Sequence, residues 1–330
     1  MHVVVGVFSP SAAWTIPKAF VARLRRDFPQ HTFTDVWDRE ALRTVFPEAD
    51  AAIAAYVERD LPSTLKRTKW IQVPAAGVAH VLSQELIDSP IVVTSARGVR
   101  ARAIAEHVMA VALALARQLH TAVRRQQEHV WALDELETSG VMRTLHGKRL
   151  AVVGLGSIGT EVARLAAAFG MKVLATRKRV DQPPPDIGGP GIEIYPPDRL
   201  HEVLGQSDVV VLSAASTADT RSLMNDAALN ALKRGALLVN IGRGRLVDDE
   251  ALVAALKDGR VGGAGLDVFT REPLDPSSPY WDLPNVIITP HVSGAMEDYW
   301  TPLVALFSEN LRRFETGRPL INVVDKQAGY

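Results

Sequence analysis

The chain has 330 residues, which sets an expectation of two domains. Hydrophobic residues make up 47% and charged residues 22%, enough apolar surface to offset the entropy of ordering a chain, which excludes disorder. Lys plus Arg and Asp plus Glu balance at 37 each, so no global basic field draws nucleic acid or an anionic membrane, and the absence of Cys excludes disulfides, thiolate metal sites and a Cys nucleophile and fits a reducing cytoplasm.

Met1 to Phe8 lacks the basic region and small-residue cleavage site of a signal peptide and reads as a buried first strand, Val3–Phe8. A helix over Pro17–Asp27 and strands at Ala51–Tyr56, Trp70–Val73 and Ile91–Thr94 complete a first α/β unit. A long helix follows, from about Ala101 to His120, with Ile104, Val108, Val111 and Leu115 at helical spacing. Its longest apolar stretch, Ala103 to Ala116, is interrupted by Glu106 and His107 and is too short for a membrane span. Arg117–Glu128 and the Trp131 segment read either as a solvated extension or as a subunit-contact arm.

A second unit starts at Lys148. Its strands are expected at Arg149–Val153, Lys172–Thr176, Val209–Leu212, Leu237–Ile241, Gly263–Val268 and Val286–Thr289, with Asp181–Pro197 as a Pro/Gly-rich loop. Six strands alternating with helices match a dinucleotide-binding domain. A last helix, about Tyr299 to Glu315, is expected to return to the first unit. No metal site is expected.

The strongest single motif is Val152-Val153-Gly154-Leu155-Gly156-Ser157-Ile158-Gly159. Gly154 permits the turn out of the strand, Gly156 lets the backbone approach a pyrophosphate, and Gly159 lets the next helix pack closely. The N–H groups near Ser157 and Ile158 carry the positive end of the helix dipole. The alternative, a plain glycine turn, fits less well because the motif follows an apolar strand and opens an amphipathic helix. An NAD site has Asp or Glu at the end of the second strand. This chain has Thr176-Arg177-Lys178-Arg179, so the cations, Arg177 foremost, favour NADP(H) by pairing with a 2′-phosphate, with NAD(H) still possible and an ordinary basic loop as the plain alternative.

Three further segments end strands: Asn240-Ile241-Gly242-Arg243-Gly244, Gly265-Leu266-Asp267-Val268-Phe269 with Glu272 beyond it, and Thr289-Pro290-His291-Val292-Ser293-Gly294. In an open α/β sheet these ends face the ligand, so an Arg, a Glu and a His reach the rim that carries the glycine loop. Taken singly, His291 reads as a satisfied loop histidine, Glu272 as a surface carboxylate, Arg243 as a loop cation and Asp267 as a cap. His107, mid-helix, reads as a packing or interdomain residue.

With these motifs in this order, and with Ala105-Glu106-His107 on the long helix, the chain resembles the D-isomer-specific 2-hydroxyacid dehydrogenase family, strongly from about Trp70 onward. The resemblance implies two Rossmann-like or flavodoxin-like α/β domains, doubly wound parallel sheets with a cleft between them. Residues 1–98 completed by 293–330 would bind substrate, and residues 99–292 would bind NAD(P). It implies reduction of a small 2-keto acid, glyoxylate, hydroxypyruvate or similar, to the D-2-hydroxy acid. His291 would be the proton donor, Glu272 would hold its ring, and Arg243 would pair with the substrate carboxylate and polarise the ketone. Asp267 would meet the nicotinamide carboxamide, and Ile241 and Gly294 would line the cofactor. Pro74-Ala75-Ala76-Gly77-Val78 matches the family's substrate loop, with Ala76 and Gly77 offering backbone N–H groups and Val78 facing the nicotinamide. A homodimer built through the long helix and the Trp131 arm is expected, with hinges near Gly98–Arg102 and Val292–Ala295.

The chain departs from the family at Leu212-Ser213-Ala214-Ala215, where many members have a His and a Pro, and at Ala79, where an Asp is usual. The second departure points away from phosphoglycerate and formate dehydrogenases. Two rival readings stand beside the reductase: a dinucleotide-sensing interaction protein like the family's corepressors, and a dehydrogenase of another small anion.

Overall fold

A computed structural model describes residues 1–10, 14–58, 64–138, 142–189 and 191–329. The chain divides into two compact units, Met1–Val99 with Met296–Tyr330, and Arg100–Ala295.

The first unit begins β1 (His2–Gly6), α1 (Lys18–Asp27), β2 (Thr32–Asp35), α2 (Arg39–Val45), β3 (Ala51–Ala54), β4 (Trp70–Val73), α3 (Gln84–Asp88) and β5 (Val92–Ser95). Its sheet is parallel throughout, in the order β2-β1-β3-β4-β5, the flavodoxin-like winding. Alternation decides which face each residue covers. Val3, Val5, Ile53 and Trp70 fill one core, whereas Val4, Ala52, Ala54, Ile71 and Val73 fill the other.

The second unit runs α4 (Ala101–Ala116), α5 (Leu119–Gln127), α6 (Leu133–Thr138), β6 (Arg149–Val153), α7 (Ser157–Ala168), β7 (Lys172–Thr176), β8 (Ile192–Tyr195), α8 (Leu200–Gln206), β9 (Val209–Leu212), α9 (Asp226–Asn230), β10 (Ala236–Asn240), α10 (Asp249–Lys257), β11 (Val261–Leu266) and β12 (Val286–Ile288). Seven parallel strands take the order β12-β11-β10-β9-β6-β7-β8. The winding reverses between β6 and β9, where a doubly wound sheet opens its ligand crevice. Helices α4 and α7 cover one face over Leu150, Val152, Val209, Val211 and Val239; the helices after β8 cover the other over Ala151, Val153, Val210 and Leu238.

The final helix, α11 (Trp300–Glu315), belongs to the first unit. Phe307 stacks on buried Trp70 at 5.2 Å between ring centroids. Asn310, fully buried, donates to Gln72 Oε1 at 3.1 Å, and Thr94 Oγ1 donates to the same oxygen at 2.8 Å while accepting from Trp70 Nε1 at 2.8 Å. The buried polar side chains of Trp70, Gln72, Thr94 and Asn310 are thus paired with one another, as burial requires. Beyond α11 the chain runs antiparallel along β5: Val324 N–H bonds Val93 O, Ser95 N–H bonds Asn322 O, and Lys326 Nζ donates to the carbonyls of Leu86, Ser89 and Ile91.

Two expectations, the loop over Asp181–Pro197 and the helix to His120, need correction, and one strand is new. Strand β2 was not foreseen, because Thr32-Phe33-Thr34-Asp35 buries only Phe33. Strand β8 lies inside the stretch read as a loop and pairs with β7 at the sheet edge; Pro190, in the same stretch, lies outside the described residues. The helix expected to reach His120 ends at Ala116, and Gln118, in the left-handed region at φ 54°, starts α5 in a new direction. The Trp131 segment leads into the short helix α6.

Candidate active site

The site begins with a shared register. Ile288, Leu266, Asn240, Leu212, Val153, Thr176 and Tyr195 are paired strand to strand across the whole seven-stranded sheet. The residues one step further therefore leave the sheet at one level: Thr289, Asp267, Ile241, Ser213, Gly154 and Arg177.

Each glycine of the first loop answers a different demand. Gly154 has φ 97°, and a Cβ there would meet the Ala214 backbone at 2.5 Å. A Cβ on Gly159 would meet Val152 at 2.7 Å and the Gly154 carbonyl at 2.8 Å, so α7 packs against its strand only with glycine. A Cβ on Gly156 would meet nothing within 4 Å. No neighbour in the fold requires that glycine, which leaves room for a ligand at the backbone. Gly156 is the N-cap of α7 and contributes no side-chain cap, and among the described residues the N–H groups of Ser157, Ile158 and Gly159 have no partner. This arrangement fits a dinucleotide pyrophosphate. Ser213, at the departure from the family pattern, donates to Gly154 O at 2.8 Å and fastens the turn.

Thr176 is buried, and its carbonyl accepts from Gly154 and Leu155 N–H. Arg177 curls over the loop after it, donating to the carbonyls of Gln182 and Pro183, while its buried Nε has no partner among the described residues. Lys178 pairs with Asp219 at 2.9 Å and holds that carboxyl below its usual range. Both cations expected at a 2′-phosphate therefore have contacts within the fold, and Arg177 alone keeps a buried donor unused.

At the end of β10, the buried Asn240 clasps the next turn. Its Oδ1 accepts from Gly242 N–H at 3.1 Å and its Nδ2 donates to Arg243 O at 3.0 Å. Ile241 is buried. The Arg243 side chain is exposed and donates to Gly242 O at 2.6 Å. A Cβ on Gly244 would lie 1.9 Å from the Phe269 carbonyl carbon, so the Arg243 turn rests directly on the backbone after β11. There Glu272 Oε1 accepts from Phe269 N–H at 2.9 Å, and Oε2 accepts from His291 Nδ1 at 2.7 Å.

His291 is held from behind. Its backbone has φ 55°, and its N–H bonds the carbonyls of Asp267 and Thr289. The Asp267 carboxylate, 1% exposed, accepts from Val292 N–H at 2.9 Å, Ser293 N–H at 3.0 Å and Thr289 Oγ1 at 2.6 Å. The side chain expected to meet a carboxamide thus fixes the two residues after the histidine. Thr289 in turn meets His107 Nε2 at 3.2 Å. His107 is therefore a hydrogen-bonding partner of this loop and not merely packing. No local pattern signals the contact, since the two residues lie 182 positions apart. A Cβ on Gly294 would approach Arg100 and Ile104.

In the first unit, the Ala76 and Gly77 N–H groups have no partner among the described residues, and Ala76 is exposed. Tyr299 donates to Pro74 O at 2.5 Å and Ala96 N–H bonds Ala75 O, so the loop is anchored at its start. Val78, expected to face a nicotinamide, is 1% exposed and packs in the core with Val73 and Val81.

The model of the D-isomer specific 2-hydroxyacid dehydrogenase NAD binding domain matches residues 109–293, a span that holds the glycine loop, Arg243, Glu272 and His291. A glyoxylate reductase from Thermococcus gammatolerans is 32% identical over 329 residues, covering 94% of this chain and 96% of that protein. Among solved structures, an NADPH-dependent glyoxylate/hydroxypyruvate reductase from Sinorhizobium meliloti, in complex with NADP and sulfate, superposes with a TM-score of 0.80 at 28% identity, covering 100% of this chain and 99% of that one. A D-isomer specific 2-hydroxyacid dehydrogenase from Xanthobacter autotrophicus Py2, in complex with NADPH and MES, gives 0.81 at 28% identity, covering 99% of each chain. Fold and site define a nicotinamide-dinucleotide oxidoreductase. The chain belongs to the D-isomer specific 2-hydroxyacid dehydrogenase family.

Proposed function

We propose that the protein reduces a small 2-keto acid, glyoxylate, hydroxypyruvate or a close analogue, to the D-2-hydroxy acid, with NADPH preferred. The observation that carries this reading is the 2.7 Å pair of His291 Nδ1 and Glu272 at the carboxyl edge of the sheet that also presents the glycine loop. Glu272 fixes the ring so that Nε2 faces outward and delivers the proton to the carbonyl oxygen. Arg243 offers a guanidinium to the substrate carboxylate and to the oxygen on which charge develops. The N–H groups of Ala76 and Gly77, without partners among the described residues, are of a kind that binds a carboxylate. Gly154, Gly156, Ser157, Ile158 and Gly159 would hold the pyrophosphate, Thr176, Arg177 and Lys178 the ribose side, and Ile241, Asp267 and Gly294 the nicotinamide side. The bound dinucleotide supplies the hydride.

Preference for NADPH is supported by the absence of an acid at Thr176-Arg177-Lys178 and by the unused Nε of Arg177. In this reading Arg100–Ala295 is the cofactor domain and the remainder binds substrate in the cytoplasm. Exposed Leu119, Val123, Val130, Trp131 and Trp281 support a homodimer through the cofactor domain. The test follows NADPH and NADH oxidation by absorbance against a panel of 2-keto acids. Turnover with a two- or three-carbon keto acid, faster with NADPH, is expected. Tight cofactor binding without any turnover would overturn the reading, and equal use of NADH would remove the preference.

A further inference from the structure

The chain of hydrogen bonds behind His291 ends on a residue that touches neither of the proposed ligand groups. Thr289 has a single hydroxyl proton. At 2.6 Å from Asp267 Oδ1 it gives that proton to the carboxylate, which as an anion only accepts. The 3.2 Å contact with His107 Nε2 then has one consistent polarity: the imidazole carries its proton on Nε2 and donates it to Thr289 Oγ1. A hydroxyl that accepts one bond is a stronger donor in the next, so His107 strengthens the grip of Thr289 on Asp267.

That grip matters because, within the described residues, Asp267 is held by hydrogen bonds alone. Among the described residues it has no ion-pair partner, and three hydrogen bonds satisfy a carboxylate that is 1% exposed. Two of those bonds hold the N–H groups of Val292 and Ser293. With the Asp267 carbonyl on His291 N–H, they keep residue 291 at φ 55°, a backbone state that side-chain-bearing residues seldom adopt without outside support. His107 stands on a helix packed closely against the strand that leads into Asp267. Its helix, α4, lies so tightly on β11 that a Cβ on Gly265 would meet Val111 at 2.1 Å.

We infer that His107 and Thr289 are positioning residues, which act through Asp267 to hold the His291 loop so that the imidazole meets Glu272. The inference rests on the proposed role of His291 but concerns a different set of atoms. The test compares two pairs of variants. Thr289→Val keeps the shape and removes the hydroxyl, whereas Thr289→Ser keeps the hydroxyl. His107→Leu removes the donor, whereas His107→Gln retains an N–H in reach. Expected for T289V and H107L is a kcat lower by about tenfold to a hundredfold, with the NADPH Kd changed by less than about twofold. T289S and H107Q should return to within a few-fold of the parent.

The second readout needs no turnover. In cofactor-free protein with labelled histidine, the Nδ1–H proton resonance of His291, bonded to Glu272, should be present in the parent, T289S and H107Q, and broadened or lost in T289V and H107L. Parent-like signals and kcat in T289V and H107L would overturn the inference. T289S as impaired as T289V would overturn it too, since then the hydroxyl is not what matters. If the parent reduces no 2-keto acid, the functional reading fails while the resonance still decides the positioning claim.

Discussion

The glycine loop after β6 and the histidine loop after β12 leave the same sheet at the same level, yet they are built by opposite means. The first works by omission. Gly154 and Gly159 make room for protein atoms, a Cβ on Gly156 would meet open space, and the N–H groups of Ser157, Ile158 and Gly159 are left without partners among the described residues. The second works by commitment. A buried carboxylate, a threonine and a helix-borne histidine are linked in series behind a turn in which His291 has φ 55°. Binding a phosphate, whose charge is spread over several oxygens, tolerates a cradle of backbone dipoles. Handing over a proton needs one nitrogen in one place.

The contrast is sharpest at the proposed proton donor. His291→Asn, or Glu272→Gln to a lesser degree, should lower kcat by about 10²- to 10⁴-fold and leave cofactor affinity within a few-fold, measured by steady-state kinetics and fluorescence titration. Undiminished turnover in H291N would break the assignment of the proton donor. Next in size is Gly244→Ala. Its methyl group has no room beside the Phe269 backbone at 1.9 Å, so a loss of about 2 to 4 kcal/mol in denaturant unfolding is expected, together with loss of activity.

The glycine loop should answer in two distinct ways. Gly154→Ala, strained at φ 97° and pressed on Ala214, should lose about 1 to 3 kcal/mol of stability. Gly156→Ala should unfold like the parent and bind NADPH about tenfold more weakly, read by calorimetry. If the two variants behave alike, the distinction between internal packing and ligand room collapses. The smallest effect expected is at the ribose end. Arg177→Ser should reduce the ratio of NADPH to NADH efficiency by about tenfold, through loss of a charge-assisted contact, with kcat for the better cofactor nearly retained.

The same contrast governs what could be read before any coordinates. Interior strands such as Val209–Leu212, buried at every position, were legible because burial on both faces writes a continuous apolar run. The two strands that escaped, Thr32–Asp35 and Ile192–Tyr195, lie at sheet edges, where one neighbour and partial burial leave little imprint. The glycine loop was legible because its three glycines fall within six residues, Gly154 to Gly159, between an apolar strand and an amphipathic helix. Arg243, Glu272 and His291 were legible only as an ordered set matching a family. His107, Thr289 and the inward turn of Asp267 were not, because the constraint joins α4 to two strand ends and no residue in it is unusual for its own neighbourhood. Val78 misled for a related reason: a loop motif indicates which backbone faces a ligand, not which way each side chain turns.

The stretch that follows α11 has a bearing on how the protein can be handled. By lying along β5, residues 322–326 occupy hydrogen-bonding groups on the border of the five-stranded sheet that would otherwise template a foreign strand. Chains ending at Gly317 would therefore lose core residue Val324 and the Ile321 backbone that pairs with buried Asn310, and would gain a sticky margin, so they should be less stable and associate more readily. An affinity tag is safer placed where it does not tug on Lys326.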